Sequence, residues 1–410
     1  MKLKSFAALF AAGTAYILLP LNFTSCSKDQ IVSNITNERL FTLEYGNFED
    51  ELNVFDIAET GTINTSIAMQ DGFFFIANGE AKKIMEMNSY GDLLNILYND
   101  ETNPRPTASM DSQAVNSTRK SAAYPFNEIS RIAVDSRKYL YVTDTLPPER
   151  RETDAKTSQI LSRIVLRFDD NGNFIDYIGQ QGPGGTPFPY IDSIYATDKG
   201  ELVVVCTSGK QKCIWWYSKE GFPVHTISVS DANIPNPFAD EKTDAFLSIE
   251  NIVCDYRARI LYLKVDYFTS FVDEASRVQS GINYAGTYLY PFYVESELLG
   301  KPMEIPSYTE EVTEEFSKQT YEIPYDFLGV TANGWLFFII STEDGLSIQM
   351  VQLDGQRILK RNLPLDRKNC LFYALSLSSR GIISSLIVKP ENAEISWWRT
   401  DSLIQAVIKN

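Results

Sequence analysis

After residue 39, short apolar stretches rich in Phe, Tyr, Ile and Val alternate with polar positions, and two-residue turns containing glycine divide them. Period-two alternation over four to eight residues is the mark of half-buried β-strands. The turns come in pairs. Asp71-Gly72 is followed by Tyr90-Gly91, Lys199-Gly200 by Glu220-Gly221, Asn333-Gly334 by Asp354-Gly355, and Arg380-Gly381 by Thr400-Asp401. Two more pairs fit with insertions between them: Arg137-Lys138 then Asn171-Gly172, and Ala258-Arg259 then Leu299-Gly300. Each of the six units reads strand, tight turn, strand, longer loop, strand, tight turn, strand. Four antiparallel strands recurring every 45 to 75 residues or so predict the blades of a β-propeller. The expected fold is therefore all-β: one six-bladed β-propeller domain over residues 39–410.

A propeller must close its ring, because an unpaired edge on the last blade invites association. The final unit supplies three clear strands, Leu371 to Leu377, Ile382 to Val388 and Glu394 to Arg399. An orphan segment ahead of the first unit, Arg39-Leu40-Phe41-Thr42-Leu43-Glu44-Tyr45, is expected to supply the fourth. The chain ends would then latch together.

The start of the chain follows a different pattern. Lys2 and Lys4 precede an apolar run from Phe6 to Leu21, and Phe23-Thr24-Ser25-Cys26 follows. The run is short of the roughly 20 residues a spanning helix needs. Its order is that of a secretory signal peptide ending at a cysteine. It resembles the lipobox of bacterial lipoproteins, with Phe23 where Leu is usual. That resemblance implies a signal peptide over 1–25, lipidation at Cys26, and a short tether over 26–38. The protein would then be held in the cell envelope outside the cytoplasm, since a multiply acylated cysteine anchors stably.

Unit two carries a second likeness. Ile129-Ser130-Arg131-Ile132-Ala133-Val134-Asp135 leads into Tyr139-Leu140-Tyr141-Val142-Thr143-Asp144, and Ile164-Val165-Leu166-Arg167-Phe168 leads to Asn171-Gly172-Asn173-Phe174. This stretch resembles an NHL repeat, and the whole chain is similar to spirochaete-type lipoproteins with propeller bodies. The likeness implies fold and location, and no activity.

Charge and composition narrow the function. The formal net charge is −16, with 53 acidic against 37 basic residues, so nucleic acid is not an expected partner. A single histidine, His225, leaves little for acid–base or metal chemistry. No G-x-S-x-G elbow is present, and the glycine-rich run Gly179 to Gly185 lacks the Lys-Ser/Thr of a phosphate loop. His225 itself follows a turn and reads as exposed and inert. Trp215-Trp216 and Trp397-Trp398 occupy equivalent third strands, where alternation turns one ring of each pair toward a neighbouring blade. Cys206 and Cys213 flank a hairpin turn, where a disulfide is feasible, the alternative being two small buried hydrophobes.

Strand direction locates the candidate surface. In a four-stranded blade the turns after strands one and three lie on one face of the disc. The loop after strand two and the link to the next blade lie on the other. Every long insertion is of the second kind: Asn99 to Pro125, Leu146 to Gln159, Tyr267 to Ala285 and Met303 to Ile323. Within the last, Thr309 to Gln319 reads as a short acidic helix. Binding commonly resides on such loops over a rigid scaffold. The candidate binding residues are Asp144, Arg150, Arg151, Asp266, Tyr267, Phe268 and Tyr284. Asp144 and Asp266 end second strands near the channel mouth, where they either ligate Ca²⁺ or cap backbone N–H groups. The expected role is non-enzymatic binding or scaffolding through this face, with the membrane as anchor and a protein or glycan as partner. Alternatives are an outer-membrane assembly factor and a carboxylate- or Ca²⁺-dependent propeller enzyme.

Overall fold

The computed structural model describes residues 32–54, 63–107, 119–238, 245–272, 279–314 and 317–409. The six repeats form six small sheets, the blades of a six-bladed β-propeller. Their inner strands are Thr65–Gln70, Ile132–Val134, Tyr190–Ala196, Phe246–Cys254, Asp326–Val330 and Phe372–Leu377. Each is followed outward by antiparallel neighbours. Blade three, for example, runs Tyr190–Ala196, Leu202–Ser208, Gln211–Tyr217 and Pro223–Ser230.

Because side chains alternate across each sheet, the core is a series of layers between blades. Trp216 is fully buried with Leu261, Leu263 and Val265 of blade four, while Trp215 turns the other way against Phe188, with ring centroids 5.2 Å apart. Trp398 is buried with Phe337 and Ile348 of blade five, and Trp397 lies 6.2 Å from Phe74 of blade one. Each tryptophan pair thus serves two interfaces rather than one.

The ring closes as the sequence pattern predicts. Asn37–Leu43 lies antiparallel outside Ala393–Trp398, with Asn37 opposite Trp398 and Leu43 opposite Ala393. The chain before it is also tied down, because Ile35 N donates to Asn362 O (2.9 Å) and Asn362 N to Ser33 O (3.2 Å). Residues 33–35 therefore lie along the outer strand of blade five, Ile358–Pro364. Cys26 and the segment before it lie outside the described residues.

On the turn side, blades two to six share a device. The residue that ends each inner strand accepts backbone N–H groups and locks the following turn. Asp135 takes Arg137 N (2.8 Å) and Tyr139 N (3.0 Å), and Thr197 takes Glu201 N (3.2 Å). Asp255 takes Arg257 N and Ala258 N (both 2.8 Å), Thr331 takes Trp335 N (3.0 Å), and Ser378 takes Ile382 N (2.9 Å). Blade one uses the positive-φ pair Asp71 (50°) and Gly72 (83°), a hairpin turn matched to strand twist.

The insertions depart from the loops expected of them. The described part of Tyr267 to Ala285 continues two strands, Ile260–Val272 and Gln279–Tyr293, of 13 and 15 residues. Thr309 to Gln319 is not helical but belongs to a hairpin of Tyr308–Glu314 with Ser317–Ile323. Its β-branched Thr309, Thr313 and Thr320 favour strand, and like charges packed along one helix would repel. Lys120–Ala123 adds a parallel fifth strand to blade one, and Glu152–Thr153 pairs with Ile160–Leu161 in blade two. Thr400-Asp401 opens the helix Thr400–Lys409 instead of a turn, because Leu403, Ile404 and Val407 find apolar partners in the last interblade layer. Leu298–Leu299 is a strand, and the preceding turn holds Glu297 at φ 56°.

Candidate functional site

Six inner strands enclose a central channel with a cavity of about 250 Å³. Its two ends differ. At the turn side, Tyr256 of blade four and Ser379 of blade six both line the cavity. Burial pushes the Tyr256 hydroxyl pKa up, and the carboxylates of Asp198, Asp71 and Asp135, from blades three, one and two, add to the shift.

The opposite end is charged. A cavity of about 370 Å³ is lined by Arg131, Tyr190, Asp192, Lys212, Glu250 and Asn251 among others. A second, of about 140 Å³, shares Arg131 and Tyr190 and reaches Glu128 and Arg163. Tyr190 is 58% exposed. The mouth is shaped by β-bulges, which re-aim side chains. Register skips Asp192 between Ile191 and Ser193, and skips Glu250 between Ile249 and Asn251. In blade two, Ser130 and Arg131 both bond Thr143, with Ser130 N to Thr143 O (3.2 Å) and Thr143 N to Arg131 O (2.9 Å). Most of the charges at the mouth are paired. Lys212 lies 3.2 Å from Asp192, and Arg163 lies 3.3 Å from Glu128.

The candidate residues do not assemble into one site. They fall in blades two and four, with blade three between. Asp144 is buried and caps, taking Glu128 N (2.6 Å), Thr145 N (2.8 Å) and Asn127 N (3.1 Å). Burial still raises its pKa despite those bonds. Asp266 is buried in an ion pair with Lys264 at 2.7 Å and also accepts from Thr287. Burial raises its pKa too, against the pull of Lys264. Tyr267 is fully buried, its hydroxyl 2.6 Å from Pro235 O and 2.8 Å from the Tyr290 hydroxyl, and so presents nothing to a ligand. These three positions close strands within the blades rather than face outward.

Arg150 and Arg151 are exposed. Arg150 lies 5.5 Å from the Tyr177 ring, and Arg151 donates to Leu146 O. Phe268 stacks on Phe246 (5.8 Å) and meets Tyr284 at 6.2 Å. Tyr284 bonds Thr287 at 2.8 Å, and burial pushes its hydroxyl up to about 12. Cys206 and Cys213 stand directly opposite each other as thiols, the first buried and the second half-buried. His225 is half-buried rather than exposed, 3.4 Å from Arg259 and 3.6 Å from Glu295. Arg259 and Trp216 hold the buried Glu201 below the usual carboxylate range, although burial alone pushes it up. The glycine-rich run forms a strand return at Gly182–Pro183.

Sequence reasoning missed Arg131, Tyr190, Asp192 and Glu250. A signal for them exists. The stretches Ile129-Ser130-Arg131-Ile132, Ile191-Asp192-Ser193-Ile194 and Ile249-Glu250-Asn251-Ile252 each put two polar residues between isoleucines, a break in strict alternation that marks a bulge.

No protein-family model and no curated protein matches the chain. Solved propellers are similar to it at low identity. A gluconolactonase from Xanthomonas campestris is 9% identical, over 89% of this chain and 97% of that one, with a TM-score of 0.39. Calcium-binding regucalcin from Agrobacterium tumefaciens is 10% identical, over 90% and 96%, with a TM-score of 0.38. The β-propeller domain of the trilobed protease from Pyrococcus furiosus is 7% identical, over 82% and 81%, with a TM-score of 0.36.

Proposed function

We propose that this chain is a lipid-anchored, non-enzymatic binding propeller of the cell envelope that engages a protein or glycan through its loop-bearing face. The observation that carries the reading is one-sided elaboration. Connections on the turn face are short and capped, whereas the paired extensions and added strands all leave the other end of their blades. The largest is the blade-four hairpin, whose strand two is five residues longer than that of blade five, an extension of roughly 17 Å. Ile282 and, on the adjoining strand one, Phe246 are 61% and 44% exposed on one side of it, and Phe271 is 47% exposed on the other; apolar side chains left in water in this way mark a contact surface. The anchor rests on the order Lys2, Lys4, apolar run, Cys26; no described helix is long and apolar enough to cross a membrane.

Photo-crosslinking residues at Phe271 or Ile282, and at Lys199 on the turn face, test the reading in growing cells. Adducts from the hairpin positions alone, and release of the Cys26→Ala variant from the membrane fraction, are expected. Equal adducts from both faces would refute the binding face. A Cys26→Ala variant that stays membrane-bound would refute the anchor.

A further inference from the structure

The mouth of the channel holds two charges of opposite sign that do not meet. Among the described residues, neither the Arg131 guanidinium nor the Glu250 carboxylate has an ion-pair partner, whereas Lys212, Asp192, Arg163 and Glu128 are all engaged. Both line the 370 Å³ cavity, yet they lie more than 4.0 Å apart, the limit for an ion pair. They are kept apart by the fold. Arg131 is held by the backbone bonds to Thr143 in blade two, and Glu250 sits on the blade-four bulge. Blade three stands between them with its own closed set, Asp192 with Lys212 and Thr207 (2.6 Å).

From this we infer that the channel mouth binds a compact zwitterion of the amino-acid class, its carboxylate on Arg131 and its ammonium on Glu250. The two formal charges and the paired Asp192–Lys212 sum to zero in this cavity, so a ligand of no net charge and separated poles matches it. Guanidinium suits a carboxylate bidentately, and a carboxylate suits an ammonium. The exposed Tyr190 ring on the rim offers a flat apolar face to the rest of the ligand. Arg131 and Tyr190 lie at the loop-side starts of their inner strands, so the ligand enters and leaves by the loop-bearing face. The inference rests on the proposed function only in taking that face as the working one.

The test is calorimetric titration of the detergent-solubilised full chain with L-glutamine, L-phenylalanine and glycylglycine. N-acetyl-L-glutamine and L-glutaminamide are added as probes lacking one charge each. Saturable binding of at least one zwitterion is expected, weakened at least tenfold by Arg131→Gln or Glu250→Gln and unchanged by Arg380→Gln on the turn face. Acetylation of the ligand should weaken binding to the wild type tenfold or more and make no further difference in Glu250→Gln. Both residues are exposed, so the variants are expected to melt with the wild type. The inference falls if no zwitterion binds, if L-glutaminamide binds as tightly as L-glutamine, or if acetylated and free ligands bind equally. The crosslinking result is independent of all three outcomes, so either proposal can fail alone.

Discussion

The two faces of the disc are made by the same strands and differ only in how the strands are joined. On the turn face five inner strands end in Asp, Thr or Ser whose side chain closes the turn, and neighbouring turns bond one another, as Asp198 N does Tyr256 O and Ala332 N does Ser379 O. On the other face the joins range from the two-residue turn after Ser208 to the link between blades one and two. The teaching is thermodynamic. Once a strand pair is fixed, the entropy of closing a longer connection rises only slowly with length. One face can therefore vary while the other carries the repeat.

The sharpest way to break this contrast is to find a large stability term on the variable face, and Lys83 is the candidate. It begins strand three of blade one, is completely buried, and among the described residues donates only to Phe48 O in the link from the latch. Burial lowers its pKa from 10.5 to about 8 despite the nearby Glu51 and Asp50 carboxylates. Between those values the unfolded chain binds a proton that the folded chain does not, so stability rises with pH across that window and falls as pH drops through 8. The full effect is about 3 kcal/mol. Denaturant midpoints at pH 7.5 and 9.5 should separate in the wild type and coincide for Lys83→Met, which should also be the more stable protein at pH 7.5. Coincident midpoints in both proteins would show that the amine is not held in an apolar site.

On the turn face, Asp135→Ala removes two backbone caps and an ion pair to Arg137 at 2.7 Å. Arg137 is partly exposed, so most of the loss is the caps, about 2 kcal/mol. Asp198→Ala, one position beyond the capping site in blade three, is expected to change stability by less than about 0.5 kcal/mol. Urea unfolding of the two variants checks whether the cap position, and not acidity at the turn, stabilises this face.

Much of this architecture was legible in the chain. Paired glycine turns mark where strands reverse, and the orphan Arg39-to-Tyr45 segment had no partner except an open last blade. What failed to show were decisions made by tertiary contact. Whether Thr309 to Gln319 pairs as strand or winds as helix depends on neighbours that local pattern does not contain. Asp266 and Tyr267 look outward-facing by their chemistry, yet Lys264 and Tyr290, partners on the same sheet, draw them inward. Arg131 and Glu250 each stand alone in sequence, and only closure of the ring gives them a common cavity.

A small effect on stability is also expected from the largest element of the variable face. Phe268 and Tyr284 lie opposite each other, so residues 269–283 can be replaced by Asn-Gly to close a two-residue turn. The Phe246–Phe268 stack and the Tyr284–Thr287–Asp266 bonds remain. The removed portion exposes Phe271 and Ile282, so it takes little buried apolar surface with it. Shortening the connection also returns some closure entropy. Stability should stay within about 1 kcal/mol of the full chain. Crosslinking from Phe246, just below the cut, should then lose its adducts if the hairpin is what the partner grips. A loss of stability well beyond that range would mean that the extension is part of the scaffold, and the division of labour between the faces would have to be redrawn.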